Sequence, residues 1–366
     1  MSVLFEPMTL RSLTIANRIF LAPMCQYSAE CEGPNTGAPT DWHLAHLGAR
    51  AIGGAGLLLT EATAVAPEGR ISSWDLGLWN DRQQEAFARL TRFVRDQGAR
   101  IGVQLAHAGR KAATGRPWRN HTPSGGAAPG WQPVGPSSVP FDEGAAVPEE
   151  LTADGIARVV RQFADAARRA HRAGFEVVEL HGAHGYLIHE FLSPRSNRRT
   201  DAYGGSFGNR IRLALQVAEA VREVWPDELP VFFRVSATDW LAESDAAGED
   251  DSWTVDQTVR LAKELLVRGV DLLDVSSGGN VPGVAIPATP GYQVPFAARV
   301  RAEADVPVGA VGLITDPHQA EAIVAKGEAD AVLLGRELLR DPQWPLRAAR
   351  ALGTESRVPH PYLRAF

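Results

Sequence analysis

Within the segment Val177–Tyr186, V-V-E-L-H-G-A-H-G-Y, two imidazoles and a phenol fall where an apolar run gives way to glycine-punctuated chain. A pair of imidazoles can hold a carbonyl oxygen by hydrogen bonds, and a neighbouring phenol can deliver a proton to the adjacent carbon. His181, His184 and Tyr186 therefore read as machinery for an electron-poor double bond. A lone histidine at a strand end is more often structural, so it is the grouping of three that points to chemistry.

Other chemistries fit less well. H-G-A-H lacks the i, i+4 helical spacing of a zinc protease, and no metal site is expected. A Schiff-base enzyme needs a lysine at a strand end, but the lysines are Lys111, Lys263 and Lys326, the first in a loop and the others in helical patterns. A glycosidase needs paired carboxylates. Glu61 and Glu179 are the candidates, yet Glu179 sits within its strand and reads as a counter-charge for Arg234.

The elements that must position these groups alternate regularly. Apolar runs of strand length span Ile19–Met24, Gly56–Ala64, Arg100–His107, Glu176–His181, Val231–Ser236, Leu272–Ser276, Val306–Val311 and Ala331–Leu334. Helical patterns follow each, among them Asp81–Gln97, Asp154–Ala173, Asn209–Val224 and Asp256–Val267. Each opens on Asp or Asn, and three stop near Gly98, Gly174 or Gly269. Strands apolar on both faces and joined by helices imply a parallel sheet, and eight repeats favour closure. The fold class expected is α/β, a single (β/α)8 TIM barrel over residues 1–366. An open doubly wound sheet is the alternative, but no G-x-G-x-x-G follows the first strand. Phe5–Asn17 reads as an N-terminal hairpin under the barrel. Ala108–Leu151, after strand three, is too long for a simple connection and reads as a capping excursion, since Trp118, Trp131 and Phe141 are costly to expose.

A net charge of −6 gives no basic excess for a nucleic-acid partner, and no run of about 20 apolar residues offers a membrane span. The opening lacks the pattern of an export signal, and Cys25 and Cys31 read as free thiols, so a cytoplasmic protein is expected.

Barrel enzymes place their sites at the C-terminal ends of the strands. Collected there are Ala22-Pro23-Met24-Cys25-Gln26-Tyr27, then Thr60-Glu61-Ala62, Gln104 and His107, His181 and His184, Arg234, Ser276-Ser277-Gly278-Gly279, Gly312, and Gly335-Arg336. Glycines and an arginine after strands seven and eight have the place and composition of a phosphate site.

The runs A-P-M-C-Q-Y-S at Ala22–Ser28, H-G-A-H-G-Y-L at His181–Leu187 and F-L-S-P-R-S-N-R-R-T-D-A-Y-G-G-S at Phe191–Ser206 closely resemble the Old Yellow Enzyme family. The thiol and the arginine-bearing ending resemble its thermophilic-like branch of FMN-containing ene-reductases. The resemblance implies that Pro23, Met24, Cys25, Ala62, Gln104 and Arg234 contact the flavin ring, and that Gly312, Gly335 and Arg336 cradle its phosphate. It implies that Cys25 tunes the flavin rather than attacking substrate, that Tyr27, His181 and His184 bind substrate, and that Tyr186 supplies the proton. A phenol of pKa roughly 10 keeps that proton at neutral pH. NAD(P)H, most often NADPH, would reduce the flavin; an α,β-unsaturated carbonyl or related activated alkene would reoxidise it. Arg364, in the tail 355–366, would reach a neighbouring subunit's site, making the active unit a homodimer or homotetramer. The alternative from another class is a flavin-binding barrel without turnover, a sensor or scaffold. Demethylase or dienoyl-CoA reductase relatives carry an iron–sulfur cluster, for which this chain lacks the cysteines.

Overall fold

In the computed structural model, which describes residues 2–118, 130–244 and 251–365, the strand runs close on themselves. The strands are β1 Ile19–Leu21, β2 Leu57–Ala64, β3 Arg100–Ala106, β4 Val177–Gly182, β5 Val231–Ser236, β6 Leu272–Ser276, β7 Val308–Val311 and β8 Ala331–Leu334. Every pairing is parallel, and β8 returns to β1 through Val332–Ile19, Leu333–Phe20 and Leu334–Leu21. The result is the (β/α)8 barrel. Its crossover helices are α1 Asp41–Ile52, α2 Asp81–Asp96, α3 Ala153–Arg172, α4 Arg212–Arg222, α5 Val255–Leu266, α6 Val294–Ala304, α7 Pro317–Ala325 and α8 Trp344–Ala351.

Side-chain alternation explains the layering. On β4, β5 and β6 the inward positions climb as Val177–Glu179–His181, Phe232–Arg234–Ser236 and Leu272–Asp274–Ser276, with Arg234 in register with both His181 and Asp274. Each strand thus runs from an apolar floor through a charged layer to a polar mouth. The intervening residues Val178, Leu180, Phe233, Val235, Leu273 and Val275 face outward into the core beneath the helices. The floor is closed by a hairpin, Met8–Leu10 against Leu13–Ile15, whose Met8, Leu10, Leu13 and Ile15 pack on Phe20, Leu57, Val177, Phe232 and Leu272.

Several boundaries differ from the sequence expectation. β1 stops at Leu21: Ala22 N–H still donates to Leu334 O, but Pro23 has no N–H with which to continue the ladder. The Asn209–Val224 helix is two pieces, Phe207–Arg210 and α4, divided at Ile211. Helix starts are capped by Asn80, Thr152 and Thr254, with Asp81, Asp154 and Asp256 inside the first turn, where acidic groups suit the helix dipole. Gly98, Gly174 and Gly269 follow α2, α3 and α5 with φ of 82°, 88° and 81°.

The excursion after β3 is anchored by a turn at Gly109–Lys111 and a short pairing of Val134–Gly135 with Glu149–Glu150; residues 119–129 lie outside the described residues. Its aromatics are not uniformly buried. Trp131 lies under the Arg70 guanidinium at 4.7 Å and Phe141 under the Lys111 ammonium at 4.4 Å. Trp118 is 62% exposed, touching Tyr27 edge-on at 5.5 Å, so the argument that all three must be covered fails for it.

Candidate active site

The mouth gathers the histidines and the phenol. The His181 ring is 5.2 Å from that of His184 and 4.9 Å from that of Tyr186, both edge-on. The chain achieves this by a tight reversal after β4, with His184 at φ 60° and Gly185 at φ 73°. A left-handed residue other than glycine is disfavoured and persists only when its surroundings hold it there. His184 N–H donates to Ser236 Oγ at 2.9 Å, and its Nε2 lies 2.7 Å from Ser276 Oγ. Both serines are the top inward residues of their strands.

Protonation follows from burial. His181 and His184 are held well below the ordinary imidazole pKa, first by burial and then by the Arg234 charge. Both are therefore neutral at physiological pH. His181 Nδ1 accepts from Ala183 N–H at 3.3 Å, which puts the ring proton on Nε2 as a free donor. Tyr186 is pushed well above the ordinary phenol pKa by burial, then by Cys25 and Tyr27, and stays protonated.

On the opposite side, Cys25 packs with Tyr186 against Ala62, Ile71, Ala106, Ala108 and Ala112. Burial, then Asp75 and Glu61, raise its pKa well above normal, so it is a thiol and not a thiolate nucleophile. Cys25 and Cys31 are both free. Ala62 reaches the mouth because β2 shifts register between Leu59 and Ala62, a bulge that re-aims the strand's end. Glu61 meanwhile accepts from Gln26 N–H at 2.8 Å and faces His43 Nε2 at 3.1 Å; it braces the β1 loop and is no glycosidase acid. Tyr27, in that loop, is left-handed at φ 53°.

Beneath the mouth, Gln104 Nε2 donates to Glu179 Oε1 at 2.8 Å. The close ion-pair contact of Arg234 is with Asp274 on β6, Nε lying 3.0 Å from Oδ2, while its charge also acts on Glu179, the counter-charge expected from the sequence. The Asp274 contact is too bent for a hydrogen bond, which leaves Arg234 Nε a buried donor with no hydrogen-bond acceptor among the described residues. Burial and Asp274 push Glu179 towards its neutral form.

Other strand-end groups separate in role. Gly312 turns the chain at φ 124°, and Gly335 abuts Met24, whose sulfur would lie 3.4 Å from an added Cβ. Arg336 is exposed beside them. His107 is drawn away from the site: it is buried, its Nδ1 accepts from Gly109 N–H at 3.1 Å, and burial lowers its pKa to about 4. Arg364 is exposed on a tail whose Tyr362 lines a groove along α1, and is not among the groups at its own barrel's mouth. Phe366 lies outside the described residues.

Sequence reasoning missed Asp274, Lys111, His189 and Asp239. Lys111 Nζ donates to His184 O and Gly279 O, each at 2.9 Å, and His189 Nδ1 accepts from Gly185 N–H at 3.0 Å. The signal available was composition: the one lysine in the excursion, and a histidine on the short helix Leu187–Leu192 directly after the motif.

A (β/α)8 enzyme with neutral donors at its strand C-termini is the class this geometry defines. The family model described as NADH:flavin oxidoreductase / NADH oxidase family matches residues 3–355, so the chain belongs to that family. The NADPH dehydrogenase of Geobacillus thermodenitrificans is 48% identical over 100% of this chain and 99% of its own. Among solved structures, morphinone reductase matches with TM-score 0.77 at 31% identity, over 98% of this chain and 92% of its own. The old yellow enzyme homologue from Zymomonas mobilis matches with TM-score 0.76 at 29% identity, over 96% and 94%. This is an Old Yellow Enzyme family member, an oxidoreductase that uses FMN and NAD(P)H. Among the described residues no helix is long and apolar enough to cross a membrane.

Proposed function

We propose that the chain reduces the C=C bond of α,β-unsaturated carbonyl compounds and related activated alkenes. The observation that carries this reading is the convergence of two neutral imidazoles and one protonated phenol at the mouth, the His181 ring lying 5.2 Å from that of His184 and 4.9 Å from that of Tyr186. FMN, when bound, would supply the hydride carrier between NAD(P)H and substrate.

The residues fit such a cofactor. Arg234 brings a buried cation whose Nε has no hydrogen-bond acceptor among the described residues, Gln104 an amide, and Cys25 and Ala62 a soft, largely apolar surface; Pro23 and Met24 precede Cys25 on the chain. Gly312, Gly335 and Arg336 suit the phosphate, where close backbone approach and one fork of donors are needed.

His181, through Nε2–H, and His184 would hold the substrate's carbonyl oxygen. Being neutral, they donate without surrendering a proton, and they strengthen as negative charge builds on that oxygen. For His184 to donate from Nδ1, Ser276 Oγ–H must donate to its Nε2, which the 2.7 Å separation permits. Tyr186 would place its proton on the α-carbon. Tyr27 would contact substrate from the β1 loop, and Arg364 of a neighbouring subunit would close the site, with a homodimer or homotetramer as the active unit. The excursion would shield the mouth from water.

Anaerobic mixing tests this. NADPH should bleach the yellow holoenzyme and 2-cyclohexenone should restore the colour; a bleached enzyme that the enone leaves bleached contradicts the reading.

A further inference from the structure

Resting on that reading, we infer that Lys111 and His189, the latter held by Asp239, clamp the single peptide group between His184 and Gly185 and so fix the reaction's donors in place. The peptide is gripped at both polar ends. Its carbonyl accepts from Lys111 Nζ at 2.9 Å, and its N–H donates to His189 Nδ1 at 3.0 Å.

The grip sits where the chain most needs it. The peptide joins two left-handed residues, and one of them, His184, pays the steric penalty that glycine escapes. The turn's backbone also lies directly on another. A Cβ on Gly185 would stand 2.3 Å from Gly279 O, and one on Gly279 would stand 2.8 Å from His184 Cα. The second Lys111 bond, to Gly279 O at 2.9 Å, ties the two turns together, so the ends of β3, β4 and β6 meet at one ammonium. That ammonium also lies 5.2 Å from the centre of the Tyr186 ring.

The other half of the clamp rests on a carboxylate that is itself held. A His189 whose Nδ1 accepts must carry its proton on Nε2, and Nε2 lies 3.2 Å from Asp239 Oδ1, a contact of favourable charge too bent for a hydrogen bond. Asp239 Oδ2 accepts in turn from Ser193 Oγ at 2.6 Å and Trp253 N–H at 3.0 Å. Glu190, the nearby carboxyl, is committed elsewhere, to Arg110 N–H at 2.8 Å. Lys111, His189 and Asp239 therefore act as positioning residues through His184 and Tyr186.

The test uses FMN-loaded enzyme, reduced anaerobically and mixed with saturating 2-cyclohexenone. In Lys111→Met and His189→Phe, reoxidation should slow roughly tenfold or more, towards the hundredfold that a displacement of about 1 Å can cost. Lys111→Arg, which keeps a cation able to donate to both carbonyls, should recover most of the rate. Imidazole 15N spectra of the wild type should show His189 as the Nε2–H tautomer, and Asp239→Asn should shift the Gly185 amide resonance. Reoxidation of Lys111→Met at the wild-type rate would overturn the clamp. So would equal losses of rate, flavin content and melting temperature in the Met and Arg variants. Should wild-type enzyme fail to be reoxidised by the enone, the functional reading falls, while the tautomer and the amide shift still report on the clamp.

Discussion

At the floor of the barrel Val177, Phe232 and Leu272 meet hairpin side chains, whereas a few residues higher the same strands carry Glu179, Arg234 and Asp274, and then His181, Ser236 and Ser276. Backbone conformation divides in the same way. Of the left-handed non-glycine residues among those described, Tyr27, Ala113, His184, Trp240 and Leu313 lie in loops leaving the C-terminal ends of strands, while the floor side has Arg11 in its hairpin turn and Asp305 at the end of α6. Stability is built at one end, where burial is uncomplicated. Strain, buried charge and shifted pKa values collect at the other, where preorganised donors are needed.

The sharpest way to break this contrast is to exchange the effects of changes at the two ends. Phe232→Ala at the floor should lower unfolding free energy by about 3–5 kcal/mol, read by denaturant titration, while folded molecules keep their alkene reduction. His184→Ala at the mouth should slow enone reduction by roughly 10²–10³-fold, as removal of one preorganised donor does, with a far smaller loss of stability. If both variants lost stability alike, mouth and floor would not be distinct in kind.

A smaller effect comes from buried Asp75, which accepts from Ser72 N–H and Oγ–H, each at 2.8 Å. Burial, then Glu61, raise its pKa to about 7. Because the folded state holds this proton more tightly than the unfolded chain, stability from this group is fully present below the ordinary carboxyl value. It declines as pH rises to about 7 and is level above that. Asp75→Asn should therefore flatten the fall in denaturant midpoint between pH 4 and about 7; an unchanged slope would assign the effect to other groups. Smallest of all, Arg89→Ala, which removes an exposed ion pair with Asp41, should alter stability by less than about 0.5 kcal/mol.

The fold was legible because strands buried on both faces leave continuous apolar runs, and because glycines such as Gly98, Gly174 and Gly269 mark helix ends. The H-G-A-H-G-Y segment was legible because its groups are adjacent in sequence. The charged layer and the clamp were not. Arg234 meets Asp274 from the neighbouring strand, and Lys111 meets carbonyls 73 and 168 residues away. Such partners are set by barrel closure and leave no local periodicity. Glu179 shows the limit: charge alone matches it to Arg234, whose field does reach it, while register gives the close contact to Asp274. Trp118 illustrates another, since apolar character alone does not show what covers a ring.

The most direct test of the account is anaerobic stopped-flow on Tyr186→Phe, following flavin absorbance through each half-reaction. Reduction by NADPH should proceed at the wild-type rate, while reoxidation by 2-cyclohexenone should slow by roughly 10²–10⁴-fold, the usual worth of a positioned acid. Equal slowing of both halves, or none in the second, would contradict Tyr186 as the proton donor of this site.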